Sequence, residues 1–113
     1  MDDSTAVEVS LLGAADGARA DRAAGAVALL QAVADPVRWA VLDILADGPR
    51  CVCDLQERIP VAGNLLSYHL KVLREADLVS ATRRGRWIDY ALVEDAADRL
   101  AAALPGARRP VTT

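Results

Sequence analysis

Two helical patterns, over residues 51–59 and 64–76, are separated by a short break that contains Pro60 and Gly63. In each pattern the apolar residues recur at the spacing of one helical face, and proline ends the first helix. Asn64 is expected to cap the second helix, whose other side is polar and basic. Two helices joined by a glycine-containing turn, the second with a basic outer face, form a helix-turn-helix.

The segment after this motif changes from a helical period to a period of two. Residues 78–82 and 87–92 are rich in strand-forming types, and the tetrapeptide Arg-Arg-Gly-Arg at 83–86 supplies a turn between them. A two-stranded hairpin with three arginines at its tip is a wing.

Three further helices are predicted around these elements. Apolar residues recur at helical spacing over 19–34. Asp35 before Pro36 combines an N-cap acceptor with proline at the first helical position and starts a helix over 36–46. The last helix is predicted over 94–104. The predicted fold is therefore mainly α with a small β-hairpin, a winged helix-turn-helix with the element order ααααββα.

A chain of 113 residues has room for one domain. We assign residues 19–104 to the winged helix-turn-helix domain for DNA binding and dimerisation, 1–18 to a flexible acidic arm and 105–113 to a loose tail. The 53% apolar content excludes a wholly disordered chain. No stretch approaches the roughly 18 uncharged apolar residues of a membrane span, and the acidic start lacks the positive region of a secretory signal. We therefore expect a cytoplasmic protein with no membrane partner.

Charge is distributed unevenly along the chain. The net charge is −3, but residues 64–86 carry +3 and the remainder carries −6. A basic stripe on an acidic body is typical of a protein that binds a polyanion in one orientation.

Duplex DNA is the polyanion that this pattern favours, with the second helix in the major groove and the wing along the phosphates or in the minor groove. The alternative is a helix-turn-helix that only packs against another protein. The predicted DNA-binding residues are Asn64, Leu65, Ser67, Tyr68, His69, Lys71, Arg74, Arg83, Arg84 and Arg86.

Four runs match one known family in order and spacing: Asp35–Arg38, Cys51–Leu55, Leu66–Ala76 and Gly85–Trp87. Over about residues 22–104 the chain resembles the ArsR/SmtB family of bacterial winged-helix regulators that respond to arsenicals and metal ions. The resemblance implies a homodimer built from the first and last helices that binds an inverted-repeat operator. It also implies a repressor that an inducer releases.

The chain departs from the family pattern at two places. Gly63, Asn64 and Leu65 replace the polar residues usual at the start of the recognition helix, which indicates an unusual operator. Asp77 stands where the family usually has glycine after this helix. Asp can adopt the left-handed conformation there at some cost, so the fold is expected to survive.

Cys51 and Cys53 are the chain's two cysteines, and we predict them as metal ligands. Cysteines one residue apart form an awkward disulfide, and in a reducing cytosol a metal or thiol site is favoured. Side chains at i and i+2 point about 200° apart on a regular helix, so the thiols converge only if its first turn is distorted. The motif resembles the family's arsenical site, but Gln56 stands where a third cysteine is usual.

The signal is therefore left open at this point. Arsenic(III) takes three thiolates and zinc four ligands, and the sequence does not distinguish arsenite, zinc, cadmium and nickel. One alternative is a borderline-metal site made from carboxylates, His69 or the amino terminus. Others are oxidation of the cysteine pair, or structural cysteines with a non-metal inducer or none.

Catalysis is not expected. A Cys–His pair requires one of the two cysteines beside His69, with an orienting acid and a pocket. The chain has no glycine-rich phosphate loop.

Overall fold

A computed structural model describes residues 17–106. Residues 1–16 of the predicted arm and residues 107–113 of the predicted tail lie outside the described residues. The other two residues of the predicted arm, Gly17 and Ala18, belong to the first helix. In order, the elements are α1 (Gly17–Val33), α2 (Pro36–Leu45), β1 (Arg50–Cys51), α3 (Val52–Arg58), α4 (Gly63–Glu75), β2 (Val79–Arg84), β3 (Trp87–Leu92) and α5 (Ala96–Ala103). The predicted helices and hairpin are all present, with ends that differ by one or two residues.

The hairpin belongs to a three-stranded antiparallel sheet in the order β1-β3-β2. β2 and β3 pair from Val79 opposite Leu92 to Arg84 opposite Trp87. β1 was not predicted, because a strand of two residues is too short to show an alternating pattern. It pairs Cys51 with Asp89 and so joins the start of the helix-turn-helix to the wing.

The expected N-cap of α2 is confirmed, and that of α4 is wrong. Asp35 Oδ1 accepts hydrogen bonds from the backbone N–H groups of Val37, at 2.8 Å, and Arg38, at 3.1 Å. The N-cap of α4 is Ala62, without a side-chain bond, so Asn64 lies inside the first turn. The preceding turn is held from α3 instead, since Gln56 Nε2 donates to the carbonyl of Val61 at 2.6 Å.

The core lies between the helix-turn-helix, α2 and the sheet. Its largest fully buried side chains are Val41, Leu55, Leu66, Leu70, Leu73 and Leu78. Leucines three and four residues apart place one side of α4 in this core and leave the opposite side on the surface.

The left-handed end of α4 is confirmed. Asp77 has φ +57°, and the N–H groups of Asp77 and Leu78 donate to the carbonyls of Arg74 and Leu73. This is the Schellman arrangement that ends a helix sharply, and it directs the chain into β2.

Within residues 17–106, no single helix has the length and apolar character to cross a membrane. α1 and α2 pass that test only as a pair, and a bend of 84° separates them.

Candidate nucleic-acid interface

The outer side of α4 carries most of the predicted DNA-binding residues. Asn64, Ser67, Lys71 and Arg74 are exposed there. Two large apolar groups share this surface, because 43% of Leu65 and 56% of Tyr68 is accessible. The recognition helix therefore presents amide, hydroxyl, cationic and apolar groups together.

His69 lies on the inner side of α4, in contrast to these neighbours. It is 6% exposed and belongs to the buried stripe of Leu66, Leu70 and Leu73. Its Nδ1 lies 2.9 Å from Nη1 of Arg38, which has no acceptor, so Nδ1 accepts this hydrogen bond. This side chain packs inside the domain and is not placed to reach a base edge.

Arg38 is the functional neighbour that the sequence analysis missed. Besides His69, its guanidinium donates to the carbonyls of Ala32, at 2.6 Å, and Gln31, at 3.2 Å. These carbonyls lie at the end of α1, so one side chain from α2 fixes α4 relative to α1. Its place in the run Asp35–Arg38 was visible in the sequence, but its partners on two other helices were not.

Asp35, at the start of α2, lies beside the contact between Arg38 and His69. Its Oδ1 lies 3.8 Å from Nδ1 of His69 and caps α2. The pKa of the Asp35 carboxyl is lowered, chiefly by the hydrogen bond from the backbone N–H of Arg38. Desolvation opposes this shift, and the hydrogen bond from the backbone N–H of Val37 adds to it.

The wing exposes three arginines, one of which is held in an ion pair. Arg84 binds Asp89 of β3 in a two-bond arrangement, with Nε–Oδ2 at 2.8 Å and Nη2–Oδ1 at 3.2 Å. The hydrogen bonds of this pair lower the pKa of Asp89 and raise that of Arg84. Among the residues that the structure describes, Arg83 and Arg86 form no hydrogen bond or ion pair, so they are the wing's unengaged cations.

A second arginine braces the opposite end of α4. Arg99 of α5 donates to the carbonyls of Asp77, at 2.5 Å, and Ala76, at 2.9 Å. Arg38 and Arg99 thus tie the recognition helix to the helices on either side of it.

Cys51 and Cys53 are joined by a disulfide, with a Cα–Cα distance of 5.3 Å. The expectation that cysteines this close disfavour a disulfide was wrong. The two thiols converge because α3 begins at Val52 and Cys51, its extended N-cap, lies outside the regular helix. Cys51 Sγ also accepts from the backbone N–H of Asp54 at 3.3 Å. Cys53 is exposed and Cys51 is half-buried.

The donors around this pair do not complete a metal site. In the described part of the chain, no group of three or more His, Cys, Asp and Glu side chains is placed to hold an ion. The two sulfurs alone do not meet the three-thiolate requirement of arsenic(III) or the four ligands of zinc.

Comparison with known proteins supports the winged-helix assignment. Residues 35–81 match the family described as bacterial regulatory protein, arsR family. The biofilm growth-associated repressor of Agrobacterium fabrum is 39% identical over 83 residues, 74% of this chain and 71% of that protein. The arsenical resistance operon repressor of Bacillus subtilis is 38% identical over 66 residues, 58% of this chain and 63% of that protein.

A solved structure agrees with the fold described above. The transcriptional repressor BigR from Xylella fastidiosa superimposes with a TM-score of 0.63 at 31% identity, over 74% of this chain and 83% of that chain. The family match covers α2, the helix-turn-helix and the start of β2, and the solved structure shares the fold over a larger part of the chain. The chain belongs to the ArsR family of bacterial regulatory proteins, and it is a DNA-binding transcriptional regulator rather than an enzyme.

Proposed function

We propose that the chain is a homodimeric repressor that lays α4 into the major groove of operator DNA and sets the wing against the neighbouring backbone. The observation that carries this proposal is the division of α4 into a leucine side held in the core and a polar, cationic side on the surface. A helix fixed in this way presents its outer side chains in one orientation, as base reading requires.

The surface residues take different roles in this proposal. Asn64, Leu65 and Tyr68 meet base edges, because they lie at the amino-terminal half of the helix that enters the groove. The remaining contacts are electrostatic or polar and go to the backbone: Ser67, Lys71 and Arg74 on α4, and Arg83 and Arg86 on the wing. Arg84 contributes less, since Asp89 already holds its guanidinium.

The proposed dimer uses the first and last helices. A groove between α1 and α5 is lined mainly by small and apolar side chains, including Ala23, Ala26, Leu30 and Ala103. At its edges 51% of Val27 and 53% of Leu104 is accessible. A second copy that covers this groove removes apolar surface from water and supplies the second recognition helix that useful specificity requires.

A metal or metalloid ion is one candidate for the signal that modulates DNA binding. A relative is named an arsenical resistance operon repressor, and Cys51 and Cys53 offer soft sulfur ligands. A three-thiolate arsenic site needs one more cysteine, and the chain has only these two, so the third must come from another copy. We place this regulator in the cytoplasm, where operator DNA is accessible.

A salt titration with one substituted lysine tests the DNA-binding surface. Lys71→Ala should weaken binding to every duplex. The slope of log affinity against log salt, which is negative, should become less negative by about 1.8, or about 0.9 for each subunit. Asp43→Asn on α2 is the charge control and should leave the slope unchanged. Fluorescence anisotropy with fragments from the flanking genomic DNA reports both values. An unchanged slope for Lys71→Ala would remove α4 from the interface.

A further inference from the structure

We propose that Cys51 and Cys53 form a reversible dithiol–disulfide site whose redox state sets affinity for operator DNA. The effect on DNA rests on the function proposed above, whereas the disulfide itself does not.

The position of the two cysteines makes their bond a cross-link between two elements. Cys51 is the last residue of β1 and the N-cap of α3, while Cys53 lies in the first turn of α3. The disulfide holds their Cα atoms 5.3 Å apart. When it is closed, a covalent side-chain bond ties the start of α3 to the sheet. When it is open, the backbone, the Arg50–Asp54 ion pair at 3.6 Å and the hydrogen bond from Asp54 N–H to Cys51 Sγ remain as links.

The surroundings favour thiol exchange over ion binding. Two sulfurs are adjacent, and within residues 17–106 no further His, Cys, Asp or Glu completes a set of three donors around them. Their exposure also differs, since Cys53 is open to solvent and Cys51 is half-buried. An exposed sulfur beside a sheltered one suits an attacking thiol and a resolving thiol.

The oxidant is a low-molecular-weight disulfide, RSSR. The thiolate of Cys53 attacks one sulfur of RSSR, which forms a mixed disulfide and releases one thiolate, RS⁻. The thiolate of Cys51 then attacks the Cys53 sulfur, which closes the intramolecular bond and releases the second RS⁻. The cysteine pair loses two electrons and two protons, and RSSR gains both as two molecules of RSH.

The sheet connects this site to the wing. Cys51 is paired with Asp89 of β3, and Asp89 holds the guanidinium of Arg84 through two hydrogen bonds. On its other side the cross-link ends in α3, where Leu55 and the C-cap residue Ile59 belong to the same core as the leucines of α4. Opening or closing the bond therefore acts at the junction between the wing and the helix-turn-helix.

The test compares fully reduced protein with protein oxidised by glutathione disulfide. Intact-mass spectrometry of the oxidised wild type should show the loss of two hydrogen atoms without an added glutathione. Anisotropy on one DNA fragment should show that the two redox states differ in affinity by about fivefold or more. Cys51→Ser and Cys53→Ser should bind DNA with no intramolecular redox response, and serine at 51 preserves an N-cap acceptor for α3.

Three results would overturn the proposal. The first is an oxidised protein that carries only mixed disulfides or free thiols, and the second is equal DNA affinity of the two redox states. The third is one arsenite bound per dimer under anaerobic, reducing conditions in a wild type that lacks a redox response, which would assign the cysteines to ion sensing. If neither redox state binds DNA, the DNA-binding function fails and the switch with it, while the mass measurement still decides whether the disulfide forms.

Discussion

The buried His69 and the half-buried Arg38 form a polar connection next to a core that is otherwise apolar. His69 Nδ1 accepts a hydrogen bond from the Arg38 guanidinium, and the same guanidinium donates to two backbone carbonyls of α1. A satisfied buried polar group of this kind costs little and allows one packing arrangement. The orientation of the recognition helix is thus specified by hydrogen bonds as well as by leucine packing.

The stability of this region should depend on pH through the ionisation of Asp35. Because its folded-state pKa lies below the ordinary value of 3.8, the charged carboxylate contributes stability above that value, and the contribution is lost as pH falls toward the folded-state pKa. Asp35→Ala should cost about 1 kcal/mol of unfolding free energy at neutral pH, through loss of the N-cap.

Asp35→Asn is the matched control for that prediction. Asn caps a helix but does not titrate, so most of the capping stability should remain while the acid dependence below about pH 4 decreases. Urea unfolding at neutral and acidic pH measures both. Identical acid dependence in the wild type and in Asp35→Asn would show that Asp35 is not the titrating group.

The exposed side chain of Leu65 leads to a prediction about the base sequence of the operator. An exposed leucine in the first turns of a recognition helix can contact the C5-methyl group of thymine, which is the apolar feature of the major groove. Replacing the contacted thymine by uracil should weaken wild-type binding by about 1 kcal/mol or more, and it should leave Leu65→Ala unaffected. Anisotropy with a set of single thymine-to-uracil duplexes locates the position. Equal affinity for all of these duplexes would contradict the role of Leu65.

At the scale of elements, α5 stabilises the recognition helix as well as lining the proposed dimer groove. Arg99 donates to the two carbonyls at the end of α4, next to the left-handed Asp77. A cation at a helix carboxyl end also interacts favourably with the helix dipole. Movement of α5 in a dimer would therefore reach α4 through this side chain.

Arg99→Ala should destabilise the domain by about 1–2 kcal/mol, because two carbonyl partners lose a charged donor. Amide exchange should rise most at the end of α4, around Leu78 and Asp77. Arg58→Ala is the control, since exposed Arg58 is paired with Asp54 alone at 3.1 Å, and it should cost less than about 0.5 kcal/mol. Equal costs for the two variants would show that Arg99 has no bracing role.

The elements differ in how far the sequence alone predicts them. The leucines at 66, 70 and 73 and the start at Asp35 have local signals, so α4 and α2 were predicted almost to their ends. β1 has only two residues, and its pairing with β3 depends on a contact distant in sequence.

The same distinction holds within the candidate site. His69 was predicted to contact DNA, and the structure buries it instead. It lies three residues after Leu66 and four before Leu73, so helical spacing was the signal that could have placed it on the buried side. The pairing of Arg84 with Asp89 follows from the hairpin register, which the turn residues only approximate. The bonds of Arg38 and Arg99 join separate helices, and no local pattern encodes them.

At the scale of the whole molecule, the proposed repressor needs two copies of the chain. A single α4 offers few base contacts, and the groove between α1 and α5 leaves apolar side chains on the surface. A dimer that buries this groove supplies a second recognition helix and removes these apolar side chains from water.

Val27→Asp should produce a folded monomer, because Val27 is already largely exposed in one chain and its charge would be buried only in the dimer. Ala24→Asp is the control, since Ala24 is exposed on α1 and does not line the groove. Sedimentation velocity gives the oligomeric state, circular dichroism the fold, and anisotropy the accompanying loss of DNA affinity. A Val27→Asp protein that stays dimeric would place the interface elsewhere.

The central claim is that two identical subunits place their recognition helices in successive major grooves. A hydroxyl-radical and methylation-protection footprint on an operator fragment tests it most directly. We expect two symmetry-related protected patches whose centres are about 10–10.5 base pairs apart, on one face of the duplex. A dimer of verified mass that protects a single patch, or leaves every fragment unprotected at low salt, would contradict it.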